Sequence, residues 1–206
     1  MIILGIHDGH NSGATIVKDG KILAWVLEER LTRKKNETGF PKKSIMSCLK
    51  ICGIKKNDLE KVVYASNFMH DSKYLKNPLD WYKVGIKQQI EDSKKSKNYE
   101  KIIFYHRRND RIEKVEKLLG THKNNISFLD HHLCHISAGY YCSDFPKNKK
   151  ILAISSDGSG DNLSGSVYVC KNNTLSRLSF TKRSASLGKI YSRVTALLGF
   201  KPWEHE

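Results

Sequence analysis

The chain contains 206 residues and carries a formal net charge of +15, a length that suits one well-packed core or one and a half lobes of a larger fold. No run of about 18 apolar residues occurs, so we expect no transmembrane helix, and the N-terminus lacks the basic start of a signal peptide. The charge makes nucleic acid or another polyanion a partner to consider. Because the lysines are scattered over predicted turns and helix exteriors, a solvated basic surface is the favoured interpretation.

The cysteine pattern indicates a reducing compartment. The chain has an odd number of cysteines and none of them form a CxxC pair: Cys48, Cys52, Cys134, Cys142 and Cys170. This spacing argues against a disulfide framework. We therefore predict a cytoplasmic protein with free thiols.

The N-terminal segment predicts three strands. Residues 2–7 form the first, and residues 14–17 and 21–27 form a hairpin closed by the Asp19-Gly20 turn. Between them lies a glycine-rich turn, residues 8–13, whose backbone N–H groups allow a phosphate to approach closely. The alternative is an ordinary turn without a ligand.

The middle of the chain predicts more helix than strand. Ser44 is the expected cap of a helix that runs through Cys52 and ends at Gly53. Residues 61–65 read as a strand. Residues 78–119 are lysine-rich and helical in pattern, with a break expected between residues 92 and 98.

The chemistry-bearing part of the chain is the stretch Phe128–Gly139, which follows a short apolar run. A helix that begins near Asp130, with Asp130 as its N-cap, places His131 and His135 one turn apart on one face. Two histidines at that spacing can share a metal ion, as in helical zinc sites. Two ligands do not make a site, however, and a polar strand–helix junction with locally bonded histidines is the alternative.

The C-terminal part repeats the order of the N-terminal part. Residues 151–155, 166–170 and 174–180 read as strands, and residues 189–198 read as a helix. The first strand leads into Asp157-Gly158-Ser159-Gly160-Asp161, which echoes Asp8-Gly9 and the following Ser12-Gly13. Two such units can clasp the phosphates of a nucleotide, as in the actin-like sugar kinases and the Hsp70 ATPase. Chance similarity of two β-hairpins is the alternative.

Five motifs occur in the order found in one enzyme family: residues 7–14 (HDGHNSGA), 28–35 (EERLTRKK), 131–135 (HHLCH), 156–161 (SDGSGD) and 199–206 (GFKPWEHE). Together they resemble the N-terminal part of the NodU/CmcH-type O-carbamoyltransferases. The resemblance implies an α/β fold, an actin/Hsp70-like (ASKHA, Kae1-like) lobe over residues 1–147 with the beginning of a second lobe over residues 148–206.

The resemblance also implies an activity. Members of this family move a carbamoyl group from carbamoyl-adenylate to a hydroxyl of a small molecule, and a YrdC-like domain makes the adenylate from carbamoyl phosphate and ATP. By motif, His131, His135 and Asp157 resemble the ligands of a divalent metal, for which the family favours iron. A nucleotide would contact the glycine-rich segments, at Gly9, Ser12, Gly13, Gly158 and Gly160.

The catalytic roles also follow from the motifs. His10 resembles the base that accepts the proton of the substrate hydroxyl, and Asp8 would orient it. Lys35 would stabilise negative charge on the carbamoyl group, with Lys34 as a competitor for that role. The alternatives are that His10 stabilises the turn and that Lys35 is surface charge.

The sequence also departs from the family pattern. It stops at Glu206, where the family runs on through a longer second lobe, and it contains no YrdC-like domain. We therefore expect the isolated chain to be incomplete, with the YrdC-like domain supplied in cis or in trans. A homodimer is compatible with the family. Two alternatives stay open: a Kae1-like protein of tRNA modification, and an inactive fragment.

Overall fold

The computed structural model describes residues 1–67, 108–201 and 205. The described residues form two compact units, the first from residues 1–67 and 108–129 and the second from residues 130–201 and 205. Each unit has its own β-sheet. The helical pattern expected over residues 78–107, with its break, lies outside the described residues. No helix in the described part of the chain has the length and apolar character needed to cross a membrane.

The first unit is built on a five-stranded mixed sheet. Its strands are β1 (Ile2–His7), β2 (Gly13–Lys18), β3 (Lys21–Leu27), β4 (Lys61–Tyr64) and β5 (Ile126–Phe128). The order across the sheet is β3-β2-β1-β4-β5; β1, β2 and β3 are antiparallel neighbours, whereas β4 and β5 run parallel to β1. The turn between β2 and β3 has positive φ at Asp19 and Gly20, the type I′ geometry that this dipeptide favours.

Helices cover the first sheet: α1 (Glu28–Thr32), α2 (Lys42–Cys52) and α3, which includes residues 108–119. Alternate residues of β1, Leu4 and Ile6, are fully buried and pack with Ile45 of α2 and Val115 of α3. This alternation is the period of a strand with one face against the core. The α/β class predicted from the sequence is confirmed.

A buried glutamate sets the start of α2. The carboxylate of Glu28 accepts hydrogen bonds from the backbone N–H of Lys43 (3.0 Å) and Ser44 (2.7 Å), and from the Ser44 hydroxyl (2.7 Å). The prediction that Ser44 caps the helix was therefore wrong. The helix begins at Lys42, three residues earlier than predicted, with Pro41 at the N-cap position, because a side chain from α1 supplies the acceptor that free N–H groups of a first turn require.

The second unit has a three-stranded antiparallel sheet and two helices. In chain order these are α4 (His131–Tyr141), β6 (Ile151–Gly160), β7 (Leu163–Lys171), β8 (Thr174–Lys182) and α5 (Leu187–Leu197). Both hairpin turns, Asp161-Asn162 and Asn172-Asn173, have positive φ at their two central residues, which is type I′ geometry. One face of the sheet packs against Ile136 and Tyr140 of α4.

Strand β6 is longer than the sequence predicted. Asp157 and Gly158, expected in a turn, lie within it because β6 pairs with β7 up to Gly160 and Leu163, with an irregular register after Ser156. The predicted echo is present in the topology, since β6-β7-β8 followed by α5 repeats β1-β2-β3 followed by helices. The lobe division at residues 147 and 148 stays a prediction; contacts group α4 with the second sheet.

Replacing the capping glutamate tests this account of α2. We expect Glu28→Ala to lower the free energy of unfolding by about 3 kcal/mol, because three buried donors lose a charged acceptor. Glu113, an exposed residue of α3, is the matched control, and Glu113→Ala should change the stability by less than about 0.5 kcal/mol. Chemical denaturation, monitored by circular dichroism, measures the free energy of unfolding of both variants. Equal effects of the two substitutions would contradict the assignment.

Candidate functional site

The start of α4 is fixed from two sides. The Asp130 carboxylate accepts a hydrogen bond from the Leu133 N–H (2.8 Å), so Asp130 is the N-cap that the sequence predicted. The His131 N–H donates to the Asp161 carboxylate (2.8 Å), which belongs to the turn after β6. These two carboxylates satisfy free N–H groups of the first turn and fix the helix against the end of β6.

Three side chains converge at this junction. The Nε2 atom of His131 lies 2.8 Å from Oδ2 of Asp157 and 3.0 Å from Nε2 of His135. The Nε2 atom of His135 lies 3.9 Å from the same carboxylate oxygen. The structure thus brings together His131, His135 and Asp157, with one possible ligand atom from each and all of them within 4.8 Å of one another.

The arrangement fits a divalent transition-metal ion. Ligand atoms about 2.1 Å from one ion and about 90° apart are separated by about 3 Å, close to the separation of the two Nε2 atoms. The Asp157 carboxyl has a pKa well below its usual range because of its contacts with His131 and then His135. The carboxylate is therefore ionised, as a ligand must be. Its other oxygen, Oδ1, accepts a hydrogen bond from the Gly158 N–H (2.6 Å), which leaves Oδ2 for the ion.

A third histidine holds α4 against the sheet. His132 is fully buried, and its Nδ1 atom lies 2.9 Å from the hydroxyl of Ser155 on β6. That hydroxyl also lies 2.7 Å from the hydroxyl of Ser166 on β7. The Nε2 atom of His132 is buried and has no hydrogen-bond partner among the described residues. The sequence analysis did not single out His132, although its position beside a ligand is the signal that could have found it.

Gly160 has a steric reason to be glycine. A Cβ atom at this position would lie 2.0 Å from the His131 ring, whereas a Cβ at Gly158 would meet nothing within 4 Å. The close approach of ring and backbone explains Gly160 without a nucleotide. Its role in nucleotide binding stays a prediction, as does that of Gly158.

A basic cluster adjoins the end of β6. The Ser186 hydroxyl donates to the Gly158 carbonyl (2.7 Å) and accepts from the Lys189 N–H (3.1 Å), so it caps α5. Burial, together with the nearby charges of Arg183 and Arg193, lowers the pKa of Lys189 to about 7. Two guanidinium groups beside this amine suit an anionic ligand. The sequence analysis missed Lys189.

The first unit contains a separate group of candidate residues, centred on Asp8. Its carboxylate accepts two hydrogen bonds from Arg111, from Nε (2.7 Å) and from Nη2 (2.6 Å). Arg111 is 3% exposed and also donates to the carbonyl and hydroxyl of Ser66 (3.2 and 3.0 Å). The predicted role of Asp8 in orienting His10 stays a prediction; its carboxylate pairs with Arg111. The sequence analysis missed Arg111, which lies 103 residues away.

Backbone contacts hold the two predicted catalytic segments together. The Gly39 N–H donates to the Asp8 carbonyl (3.0 Å), and the Ser12 N–H donates to the Glu37 carbonyl (2.9 Å). The loop that carries Lys35 therefore adjoins the loop that carries His10. Lys34, Lys35 and His10 are exposed. Their roles in catalysis stay predictions.

The remaining predicted contacts with a nucleotide lie in the same loop. Ser12 is 1% exposed, and its hydroxyl has no hydrogen-bond partner among the described residues. An unsatisfied buried hydroxyl is costly unless a ligand or water pairs with it. A Cβ at Gly13 would lie 2.8 Å from the Val26 carbonyl oxygen, so packing against β3 requires this glycine. Gly9 is buried.

The family of the chain follows from sequence comparison. The family described as Carbamoyltransferase N-terminus matches residues 2–206. The chain belongs to this family. The resemblance stated from the five motifs is thereby confirmed, because the match extends over both glycine-rich segments and the histidine helix.

Two curated relatives are much longer than this chain. The uncharacterized protein MJ1051 of Methanocaldococcus jannaschii is 31% identical over 100% of this chain and 31% of its own length. The nodulation protein NolNO of Sinorhizobium fredii is 27% identical over 93% of this chain and 26% of its own length. Among solved structures, YeaZ from Pseudomonas aeruginosa matches with a TM-score of 0.46 and 8% identity, covering 88% of this chain and 68% of that chain. The chain thus spans about a third of the length of MJ1051 and about a quarter of the length of NolNO.

The buried Asp8–Arg111 pair predicts a large coupling energy. We expect Arg111→Met and Asp8→Asn each to lower the free energy of unfolding by about 3–5 kcal/mol, because each leaves a buried group without its partner. The double variant should lose less than the sum of the two. Lys114→Met is the control, since the Lys114–Asp110 pair is 39% exposed at both residues and should contribute less than about 1 kcal/mol. Urea denaturation measures the free energy of unfolding of the two single variants, the double variant and the control. Additive losses would contradict a direct coupling.

The distances within the group of His131, His135 and Asp157 predict that it binds a divalent metal ion. We expect the chain to bind Co²⁺ and to show the visible absorption bands of a site that contains histidine and carboxylate ligands. The variants His135→Ala and Asp157→Asn should each abolish Co²⁺ binding. His122→Ala, at an exposed histidine outside the group, should leave the spectrum unchanged.

The two glycines of β6 supply a sharper control. Gly160→Ala should weaken Co²⁺ binding at least about 10-fold, because the added methyl group displaces the His131 ring. Gly158→Ala should leave the affinity within about 2-fold, since its methyl group meets open space. Equal affinities of the two variants would exclude His131 as a ligand.

Proposed function

We propose that this chain is the acceptor-transfer part of an O-carbamoyltransferase, which moves a carbamoyl group from carbamoyl-adenylate to a hydroxyl of a small molecule. The observation that carries the proposal is the group formed by His131, His135 and Asp157 in a chain matched from end to end by the family. The carbamoyl-adenylate would be made from carbamoyl phosphate and ATP by a YrdC-like domain, supplied in cis or in trans.

The transfer step needs a base and a stabilised oxyanion. The hydroxyl oxygen of the acceptor attacks the carbamoyl carbon, and the bond from that carbon to the phosphate oxygen breaks, which releases AMP. The hydroxyl proton goes to His10, whose exposed imidazole has the chemistry of a base near neutral pH. Lys35, in the adjoining loop, supplies positive charge for the carbamoyl oxygen.

Arg111 adds a second role to the one proposed for Asp8. Because the carboxylate accepts two hydrogen bonds from a buried guanidinium, it serves to fix the loop that carries His10. A hydrogen bond from His7 Nε2 to the His10 carbonyl (2.9 Å) supports the same loop. His10 would therefore be held in part by its backbone.

The second unit would hold the metal and an anionic group. His131, His135 and Asp157 would ligate a divalent ion, iron by family resemblance, which when bound supplies positive charge to an adjacent phosphate. The basic cluster of Arg183, Lys189 and Arg193 adds to that charge. In the first unit, the buried Ser12 hydroxyl, which has no hydrogen-bond partner among the described residues, would pair with the nucleotide, beside the backbone of Gly9 and Gly13.

A tRNA-modifying role is the alternative, and the net charge of +15 is the observation that favours it. Such a role requires tRNA binding whose affinity falls steeply with salt concentration. The family match favours the small-molecule acceptor over tRNA. We also propose that the protein is cytoplasmic and forms a homodimer.

A chimera tests the function. Residues 1–206 replace the matched part of the Methanocaldococcus relative, and the product is incubated with ATP, carbamoyl phosphate and hydroxylated small molecules. Mass spectrometry detects acceptors that gain one carbamoyl group. We expect His10→Asn to reduce transfer about 10²–10⁴-fold, the range for loss of a general base, with unchanged Co²⁺ binding.

His122→Asn, an exposed histidine of the same unit, is the matched control and should retain activity. If His10→Asn transfers at the normal rate but melts at a lower temperature, His10 only stabilises the turn. Absence of transfer by the unmodified chimera, with all proteins folded, would count against the proposed function.

A further inference from the structure

The candidate metal ligand Asp157 lies in an irregular part of β6. Regular pairing with β7 stops between Ser156 and Gly160, where β6 contains more residues than the facing segment of β7. Such a bulge bends a strand, changes the direction of a side chain and leaves backbone groups without their ladder partners. Buried backbone groups need hydrogen-bond partners, so the bulge that carries Asp157 needs them from outside the ladder.

Two side chains hold the backbone of this bulge. Asp157 is one of them, since its Oδ1 atom accepts a hydrogen bond from the Gly158 N–H (2.6 Å). The other is Ser186, whose hydroxyl donates to the Gly158 carbonyl (2.7 Å) and lies 3.4 Å from the Asp157 carbonyl oxygen. Ser186 is 3% exposed. Its buried hydroxyl therefore contacts the two peptide groups that follow Asp157.

The same hydroxyl begins α5. It accepts a hydrogen bond from the Lys189 N–H (3.1 Å), so Ser186 is the N-cap of this helix. The first turn of α5 also touches the bulge through its backbone, because a Cβ atom at Gly188 would lie 3.0 Å from the Cα atom of Gly158. One buried hydroxyl thus joins the start of α5 to the segment that carries Asp157.

We propose that Ser186 is a positioning residue of the metal group. By donating to the backbone of the bulge, its hydroxyl sets the position of the Asp157 carboxylate relative to His131 and His135. Hydrogen-bond partners that orient metal ligands typically contribute about 10–100-fold to metal affinity. Coupling between two sites is reciprocal, so an ion bound by the group stabilises the start of α5 in return. The inference rests on the proposed metal group and not on the transfer chemistry.

Substitutions at Ser186 separate its role as a donor from its role as a cap. Ser186→Asp retains a cap, because a carboxylate accepts from the Lys189 N–H, but it removes the donor to the Gly158 carbonyl. We expect this variant to bind Co²⁺ about 10-fold more weakly, although its added negative charge by itself favours a cation. Ser186→Thr keeps both roles and should bind Co²⁺ within about 3-fold of the unmodified chain.

Titration of the full chain with Co²⁺, monitored by visible absorption, measures the affinity, and thermal melting without metal measures stability. Ser184→Asp, at an exposed serine of the short turn before α5, is the matched control for the added charge and should bind Co²⁺ within about 2-fold of the unmodified chain. In the unmodified chain, Co²⁺ should also slow hydrogen exchange at the Lys189 amide, and Ser186→Asp should remove that effect.

Equal Co²⁺ affinities of Ser186→Asp and the unmodified chain would overturn the proposal and leave Ser186 as a helix cap alone. Affinities that merely follow the melting temperatures of the variants would overturn it as well. Failure of the unmodified chain to bind Co²⁺ would overturn the metal group and this inference together, whereas carbamoyl transfer by the chimera would still be measured separately.

Discussion

The close approach of the His131 ring to the backbone of Gly160 is the constraint on which the second unit depends. No side chain fits between them, so α4 can lie near β6 only if residue 160 is glycine. That approach brings Nε2 of His131 within 2.8 Å of Asp157. The geometry of the metal group thus follows from one packing contact, supported by the buried contact between His132 and Ser155.

The first unit depends on a different interaction, the paired charges of Asp8 and Arg111. The guanidinium also lies over the rings of Tyr64 and Phe128, 5.0 and 5.9 Å from their centroids, so β1, β4, β5 and α3 meet at one buried cation. Desolvation of such a pair is costly, and its two hydrogen bonds recover that cost only in this geometry. The pair therefore fixes the loop after β1 more than it adds stability.

Local chemistry made part of this structure predictable from the sequence. The Asp19-Gly20 turn, the Asp130 cap and the spacing of His131 and His135 each follow from residues within one turn of each other. Contacts between distant residues were not predictable. Glu28 displaced Ser44 as the cap of α2, and Arg111 reached Asp8, because tertiary packing brings these groups together. Strand β6 extended past the expected turn for the same reason, since pairing with β7 determines where it ends.

Helices α2 and α5 follow the same order of strands in their units, but they bury different kinds of residue. Helix α2 buries Ile45 and Leu49 against its own sheet, whereas α5 buries Ser192 and Thr195 and exposes its large apolar residues. A three-stranded sheet, as formed by the described residues of the second unit, buries little apolar area on its own. The three candidate metal ligands all come from α4 and β6. The packing of α4 against β6 is therefore a condition for metal binding by this group.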